Sequence, residues 1–213
     1  MSDEKRLNYL VYDLETGGLS PEKNAITEIA LIAIDGESLE ETSRYTTFIR
    51  PYGNLGYDQV ALEITGITME MIMSGKDSKI VAKEVSDFIT SLGTGLNKKP
   101  ILCGHNIKKF DNPFLDKFLQ LHKRDLYKIV SPEVIDTMWW SRIKYPFDKD
   151  DFGSHKLGDA CMREGIEVID AHRAMNDAAG NAQLLISYLK NLRGTGEVRE
   201  KVQRHSYRET FKF

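Results

Sequence analysis

Apolar residues fall in short continuous runs early in the chain and at helical intervals later. Leu7–Tyr12 reads as a buried strand ending at Asp13. Ile26–Ile34, the run Ile-Thr-Glu-Ile-Ala-Leu-Ile-Ala-Ile, reads as a second strand, and Ser43–Ile49 as a third. Turn residues at Asp35-Gly36 and Arg50-Pro51 keep the connections short, which suggests an antiparallel meander. Asp58–Ile64 reads as a helix that stops near Gly66. In Ser78–Leu92, Val81, Val85, Phe88 and Leu92 share one helical stripe, with Ser78 as N-cap. Strand Ile101–Gly104, helix Pro113–His122, strand Val134–Thr137 and helix Leu157–Glu164 follow. The last helix, Asn176–Leu192, turns Ala178, Ala182, Leu185, Leu189 and Leu192 toward a core. A meander followed by strand–helix units predicts an α/β fold, a mixed sheet of antiparallel and parallel strands flanked by helices. Residues 1–193 form this domain. Residues 194–213, after the linker Gly194-Thr-Gly196, form a basic tail with Arg199, Lys201, Arg204, Arg208 and Lys212.

Composition narrows the function. The 213 residues suit one ordinary domain, and a hydrophobic content of 41% supplies a core. Charged residues at 29%, with no apolar run near the roughly 20 that a membrane helix needs, argue against a membrane protein. The opening Met-Ser-Asp-Glu-Lys-Arg lacks the apolar stretch of a signal peptide, so a cytoplasmic location is expected. Cys103 and Cys161 are far apart, without metal-ligand spacing, and read as reduced, buried thiols. A net charge of -3 weighs against a passive nucleic-acid-binding module, which usually carries a positive surface. It weighs less against a nuclease, because carboxylates loaded with divalent cations are cationic at the point of contact.

Four segments carry candidate chemistry. In Asp13-Leu14-Glu15-Thr16-Gly17-Gly18, two carboxylates two positions apart on an extended chain face the same way. Alone, such a pair also fits a solvated strand end. In Gly104-His105-Asn106-Ile107-Lys108-Lys109-Phe110-Asp111, Asp111 is either a ligand or the N-cap of the following helix. His172 lies in a loop ahead of Asp177, which falls in the first turn of the last helix. Ile135-Asp136-Thr137 is weaker, and fits a strand followed by a helix cap. Taken together, four carboxylates and one base near neutral pKa match the needs of two-metal phosphodiester hydrolysis.

The joint pattern resembles the DEDD family of 3′→5′ exonucleases, in its histidine-containing form, with an RNase H-like fold. Asp13 and Glu15 match its first motif, Asp111 its second, and His172 with Asp177 its third, over residues 7–192. Thr65-Gly66-Ile67-Thr68 and Ile135-Asp136-Thr137 resemble secondary signatures. The chain departs from the pattern twice. Gly17 stands where a second threonine is commoner, and the His105–Asp111 spacing is one residue longer than the most familiar form.

The resemblance implies two Mg²⁺ or Mn²⁺ ions held by Asp13, Glu15, Asp111 and Asp177, with His172 as general base. Thr16, Gly17, Gly18, Leu19, Asn106 and Lys109 would contact the terminal nucleotide, although Leu19 also fits an ordinary turn residue and Lys109 a solvated one. One of Trp139 and Trp140 reads as core, and the other could offer a stacking face for a base or be an ordinary apolar residue. The expected partners are DNA or RNA 3′ ends, preferably single-stranded, with nucleoside 5′-monophosphates released. The tail could dock a polymerase or another protein. Two rival readings use the same architecture, a catalytically idle binding module and a structure-specific endonuclease.

Overall fold

A computed structural model describes residues 7–93, 98–146, 153–168 and 172–194. Among the described residues, five strands form one sheet: β1 (Tyr9–Thr16), β2 (Ile26–Ile34), β3 (Glu41–Phe48), β4 (Ile101–Gly104) and β5 (Val134–Asp136). Their order is β3-β2-β1-β4-β5. The pairs β1–β2 and β2–β3 are antiparallel, whereas β1–β4 and β4–β5 are parallel. This is the mixed sheet expected from the meander and the later strand–helix units.

The helices are α1 (Gln59–Thr65), α2 (Met69–Ser74), α3 (Ser78–Ser91), α4 (Asp111–Leu121), α5 (Thr137–Lys144), α6 (Leu157–Arg163) and α7 (Ala174–Leu192). On one sheet face, Leu10, Tyr12 and Leu14 of β1 pack in a core with Val81, Val85 and Ile89 of α3 and Leu115 and Phe118 of α4. On the other face, Tyr9 and Val11 pack with Ala174, Ala178, Ala182 and Leu185 of α7. Alanine at every fourth position lets α7 lie close to the sheet. The outer side of α7 carries Leu184 and Tyr188, which meet Ala160 and Cys161 of α6.

Every residue of β2 is buried, so its near-continuous apolar run belongs to an inner strand. In β3 the residues from Glu41 to Arg44 are exposed, as suits a polar edge strand. Both cysteines are free and buried. Among the described residues, no helix is long and apolar enough to cross a membrane.

Several local expectations are corrected. Strand β1 does not end at Asp13 but runs to Thr16, because the ladder with β2 continues through Glu15 before a register shift. Asp77, not Ser78, caps α3, its side chain accepting from the N–H of Lys79. Asp111 does not cap α4. The capping position is Phe110, without a side-chain bond, and Asp111 is the first helical residue. Helix α2 is a single short segment with too few positions to display a period, and it begins with Thr68 accepting from the N–H of Met71. Helix α5 starts at Thr137, directly after a strand one residue shorter than expected, with Asp136 accepting from the N–H of Met138. The tail from residue 195 onward lies outside the described residues.

Candidate active site

The alternation of β1 continues past its apolar half. Tyr9 and Val11 face α7, so Asp13 and Glu15 fall on that same face, above the start of the helix. Asp177 comes from the first turn of α7. Carboxylate oxygens of Asp13, Glu15 and Asp177 lie within 4.8 Å of one another. Glu15 is buried, and the other two are half-buried.

Asp111 approaches from the opposite core. It is buried at the start of α4 and accepts the backbone N–H of Leu14 at 3.2 Å, between the two β1 carboxylates in sequence. Asp111 is thus held against β1 by a bond that a capping role would not supply. Beneath it, the buried hydroxyl of Tyr12 donates to Asn112.

The electrostatics follow from this crowding. Burial, then the charges of Asp111, Glu15, Asp177 and Glu28, push Asp13 well above the ordinary carboxylate range. Glu15 is pushed up to about 8 by burial and by Asp177, Glu28 and Asp111, with Arg173 opposing. Burial also raises Asp111 and Asp177, each partly offset by a backbone N–H, that of Leu14 for the first and of His172 for the second. A cluster of buried carboxylates that resist ionisation is poised to exchange protons for a cation. Its all-oxygen donor set is the kind that hard divalent ions such as Mg²⁺ and Mn²⁺ select.

His172 is exposed, has a φ of 72°, and donates its backbone N–H to Oδ2 of Asp177 at 3.2 Å. The left-handed conformation is uncommon for any residue with a side chain, although histidine is among those enriched there. The loop therefore closes on the same carboxylate that joins the cluster.

The expected nucleotide-contacting residues lie around this centre with different commitments. The buried hydroxyl of Thr16 donates to the carbonyl of Gly18 at 2.7 Å. Gly17 donates its N–H to Ala25 at 2.8 Å and accepts from Asp58 at 2.6 Å, so its amide is already engaged. A Cβ on Gly17 would stand 2.7 Å from Cδ1 of Tyr57 and 2.9 Å from the carbonyl oxygen of Gly56. That contact explains why glycine occupies the place of the commoner threonine. Leu19 is 85% exposed, a free apolar tip beside the two glycines. Asn106 has a φ of 65° and donates its N–H to Oδ1 of Asp136 at 2.9 Å, while Lys108 and Lys109 are exposed. Of the tryptophans, Trp140 packs on Tyr188 with ring centroids 6.0 Å apart, and Trp139 is 54% exposed.

Two residues outside the sequence motifs bind this region together. Glu28, buried in β2 and paired in register with Glu15, forms an ion pair with Arg173. A charged residue inside a nine-residue buried strand was the available signal, since a buried carboxylate requires a partner.

The exonuclease family represented by RNase T matches residues 10–185 of the sequence. The chain belongs to that family. Among its relatives is the DNA polymerase III PolC-type protein of Oceanobacillus iheyensis, 32% identical over 184 residues, covering 86% of this chain and 12% of the polymerase. The PolC-type polymerase of Bacillus subtilis is 32% identical over 187 residues, covering 86% of this chain and 11% of its own. The chain therefore spans only about an eighth of the length of these relatives, as the 12% coverage shows. Among solved structures, E. coli exonuclease I in complex with a dT13 oligonucleotide superposes with a TM-score of 0.73 at 22% identity. That match covers 88% of this chain and 41% of the other, and it establishes the RNase H-like fold.

Proposed function

We propose that this domain is a 3′→5′ exonuclease that removes nucleoside 5′-monophosphates from single-stranded DNA ends. The observation that carries the proposal is the meeting of Asp13, Glu15 and Asp177 within 4.8 Å, beside Asp111 and behind the His172 loop. The polymerase relatives and the oligonucleotide held by exonuclease I support DNA as the substrate class.

Asp13, Glu15, Asp111 and Asp177 would hold two divalent cations, Mg²⁺ or Mn²⁺. When bound, such ions polarise the scissile phosphate and offset the charge that develops on it. The remaining work falls to the chain. His172, exposed and bonded through its backbone to Asp177, would accept the proton of the attacking water. Its backbone bond to Asp177 keeps base and carboxylate in register. The turn of Gly17 and Gly18, packed against Tyr57, Gly56, Asn24 and Asp58, presents the exposed Leu19, which offers an apolar contact to the terminal base. Asn106 and Lys109 border the site from the β4–α4 loop and contact sugar or phosphate. The basic residues Arg199, Lys201, Arg204, Arg208 and Lys212 of the C-terminal tail would add phosphate contacts or dock a partner protein.

The test is digestion of 5′-labelled single-stranded DNA, matched RNA and closed circular DNA, with Mg²⁺ and with EDTA. A descending ladder from linear DNA that needs Mg²⁺ is the expected result. Cleavage of circles would mark an endonuclease, and binding without shortening would mark an idle module. Either result overturns the proposal, as does activity that persists in EDTA.

A further inference from the structure

Glu28 is the single charged residue of β2 and is only 3% exposed. It stands opposite Glu15, and like charges directly across an antiparallel pair repel. The structure resolves this conflict with one side chain. Arg173 donates from Nε to Oε2 and from Nη2 to Oε1 of Glu28, both at 3.1 Å, a two-pronged pair of the kind only arginine makes. The backbone N–H of Ala174, first residue of α7, donates to the same carboxylate at 3.3 Å. The guanidinium also lies 5.2 Å from the ring centre of Phe48, which is the β3 neighbour of Glu28 in the sheet. Arg173 is therefore tied to two adjacent strands, and it is the residue between His172 and the helix.

His172 needs such an anchor. Its φ of 72° is a left-handed conformation, uncommon for a residue with a side chain, that persists where the surroundings hold it. On one side the bond from its own N–H to Asp177 restrains it, and on the other the Arg173–Glu28 pair does.

We propose that Arg173 and Glu28 are positioning residues for the exonuclease reaction, fixing where His172 and Asp177 stand relative to Asp13 and Glu15. Neither needs to touch the substrate. Without the anchor, His172 can relax to a cheaper backbone conformation that turns its imidazole away, and the first turn of α7 can shift with Asp177. The inference rests on the exonuclease reading of the site, and on His172 as its base.

The experiment compares the wild type with Arg173→Ala, Arg173→Lys, His172→Ala and the His172→Ala/Arg173→Ala double variant. Turnover on single-stranded DNA is measured in Mg²⁺, DNA binding in Ca²⁺, Mn²⁺ affinity by calorimetry, and thermal stability as a control. Arg173→Ala should lower turnover by about 10²-fold, the scale of a small misplacement of a reacting group, with DNA binding unchanged. Its Mn²⁺ affinity should fall by about 10-fold or more, as when a support of a metal ligand is lost. Arg173→Lys keeps the charge but not the fork, and should fall between. At saturating Mg²⁺, which removes the part of the loss that comes from weaker metal binding, losing Arg173 should cost much less in the His172→Ala background than in the wild type, because that part of its effect passes through His172.

Losses that multiply in full in the double variant at saturating Mg²⁺ would overturn the inference, since a general structural defect acts independently of the base. So would an Arg173→Ala protein with normal turnover and normal Mn²⁺ affinity. Wild-type turnover in His172→Ala would instead remove the base assignment. In that case a fall in Mn²⁺ affinity on Arg173→Ala still supports the anchor through Asp177, and an unchanged affinity overturns it.

Discussion

Replacing Glu15 with glutamine should stabilise the metal-free protein at mildly alkaline pH, although Glu15 belongs to the candidate metal site. Burial and neighbouring carboxylates raise Glu15 from an ordinary 4.5 to about 8 in the folded state. A group whose folded pKa is raised contributes stability that is complete below its unfolded pKa and is lost as pH climbs through the folded one. The window therefore runs from about 4.5 to about 8. At about 1.4 kcal/mol per pKa unit, the ceiling on this loss is about 4–5 kcal/mol. Glu15 shares its surroundings with Asp13 and Asp177, and partial protonation of those neighbours relieves some of the repulsion. About 2 kcal/mol at pH 8 is the working figure. For a domain of this size that corresponds to about 4–8 °C in melting temperature. Glutamine keeps the shape of the protonated acid but cannot ionise. Melts followed by circular dichroism in EDTA should show little difference at about pH 5 and a gap of this size, in favour of Glu15→Gln, at about pH 8. Adding Mg²⁺ should reverse the order, because the wild type gains binding free energy that the variant forfeits. A gap equal at both pH values, or a variant less stable than wild type in EDTA at pH 8, would refute the electrostatic argument.

Other expectations follow from single contacts. His172→Ala should lower turnover by about 10²–10⁴-fold with DNA binding in Ca²⁺ unchanged, as single-turnover kinetics would show. Gly17→Thr restores the commoner family residue, yet its Cβ would meet Tyr57 at 2.7 Å and the carbonyl oxygen of Gly56 at 2.9 Å. Urea melts should register a loss of about 1–3 kcal/mol, with no gain in turnover. Asp136→Ala removes the acceptor for both the Met138 and Asn106 N–H groups. It should cost about 1–3 kcal/mol by the same measurement and weaken single-strand binding through the Asn106 loop. Truncation after Arg193 should leave dinucleotide hydrolysis unchanged while flattening the salt dependence of binding to longer strands, since fewer phosphates are neutralised. An identical salt slope would eliminate the phosphate-contacting arm.

Much of this protein is written locally. The nine apolar-rich residues of β2 and the alanines spaced four apart in α7 specify their elements whatever surrounds them, because the pattern of burial is the period of the strand or the helix. The motif acids were legible for a related reason. Carboxylates at Asp13, Glu15, Asp111 and Asp177 sit on apolar elements, where charge is costly unless it has a task. Short pieces were not legible. One brief turn of helix at α2, or the start of α5 immediately after β5, has too few positions to display a period. Pairings distant in sequence were beyond any local pattern. Asp111 bonds to Leu14 across 97 positions, and Arg173 to Glu28 across 145. Glu28 lies in an apolar run that announces a buried strand without saying which cation reaches it. The glycine at position 17 departs from the motif because Tyr57 and Gly56 occupy the space of its missing side chain. The sequence alone determined which residue types could do the chemistry. Only the tertiary structure decided how they are held, because a carboxylate's neighbours, and hence its proton affinity and its geometry, come from segments that the chain brings together only on folding.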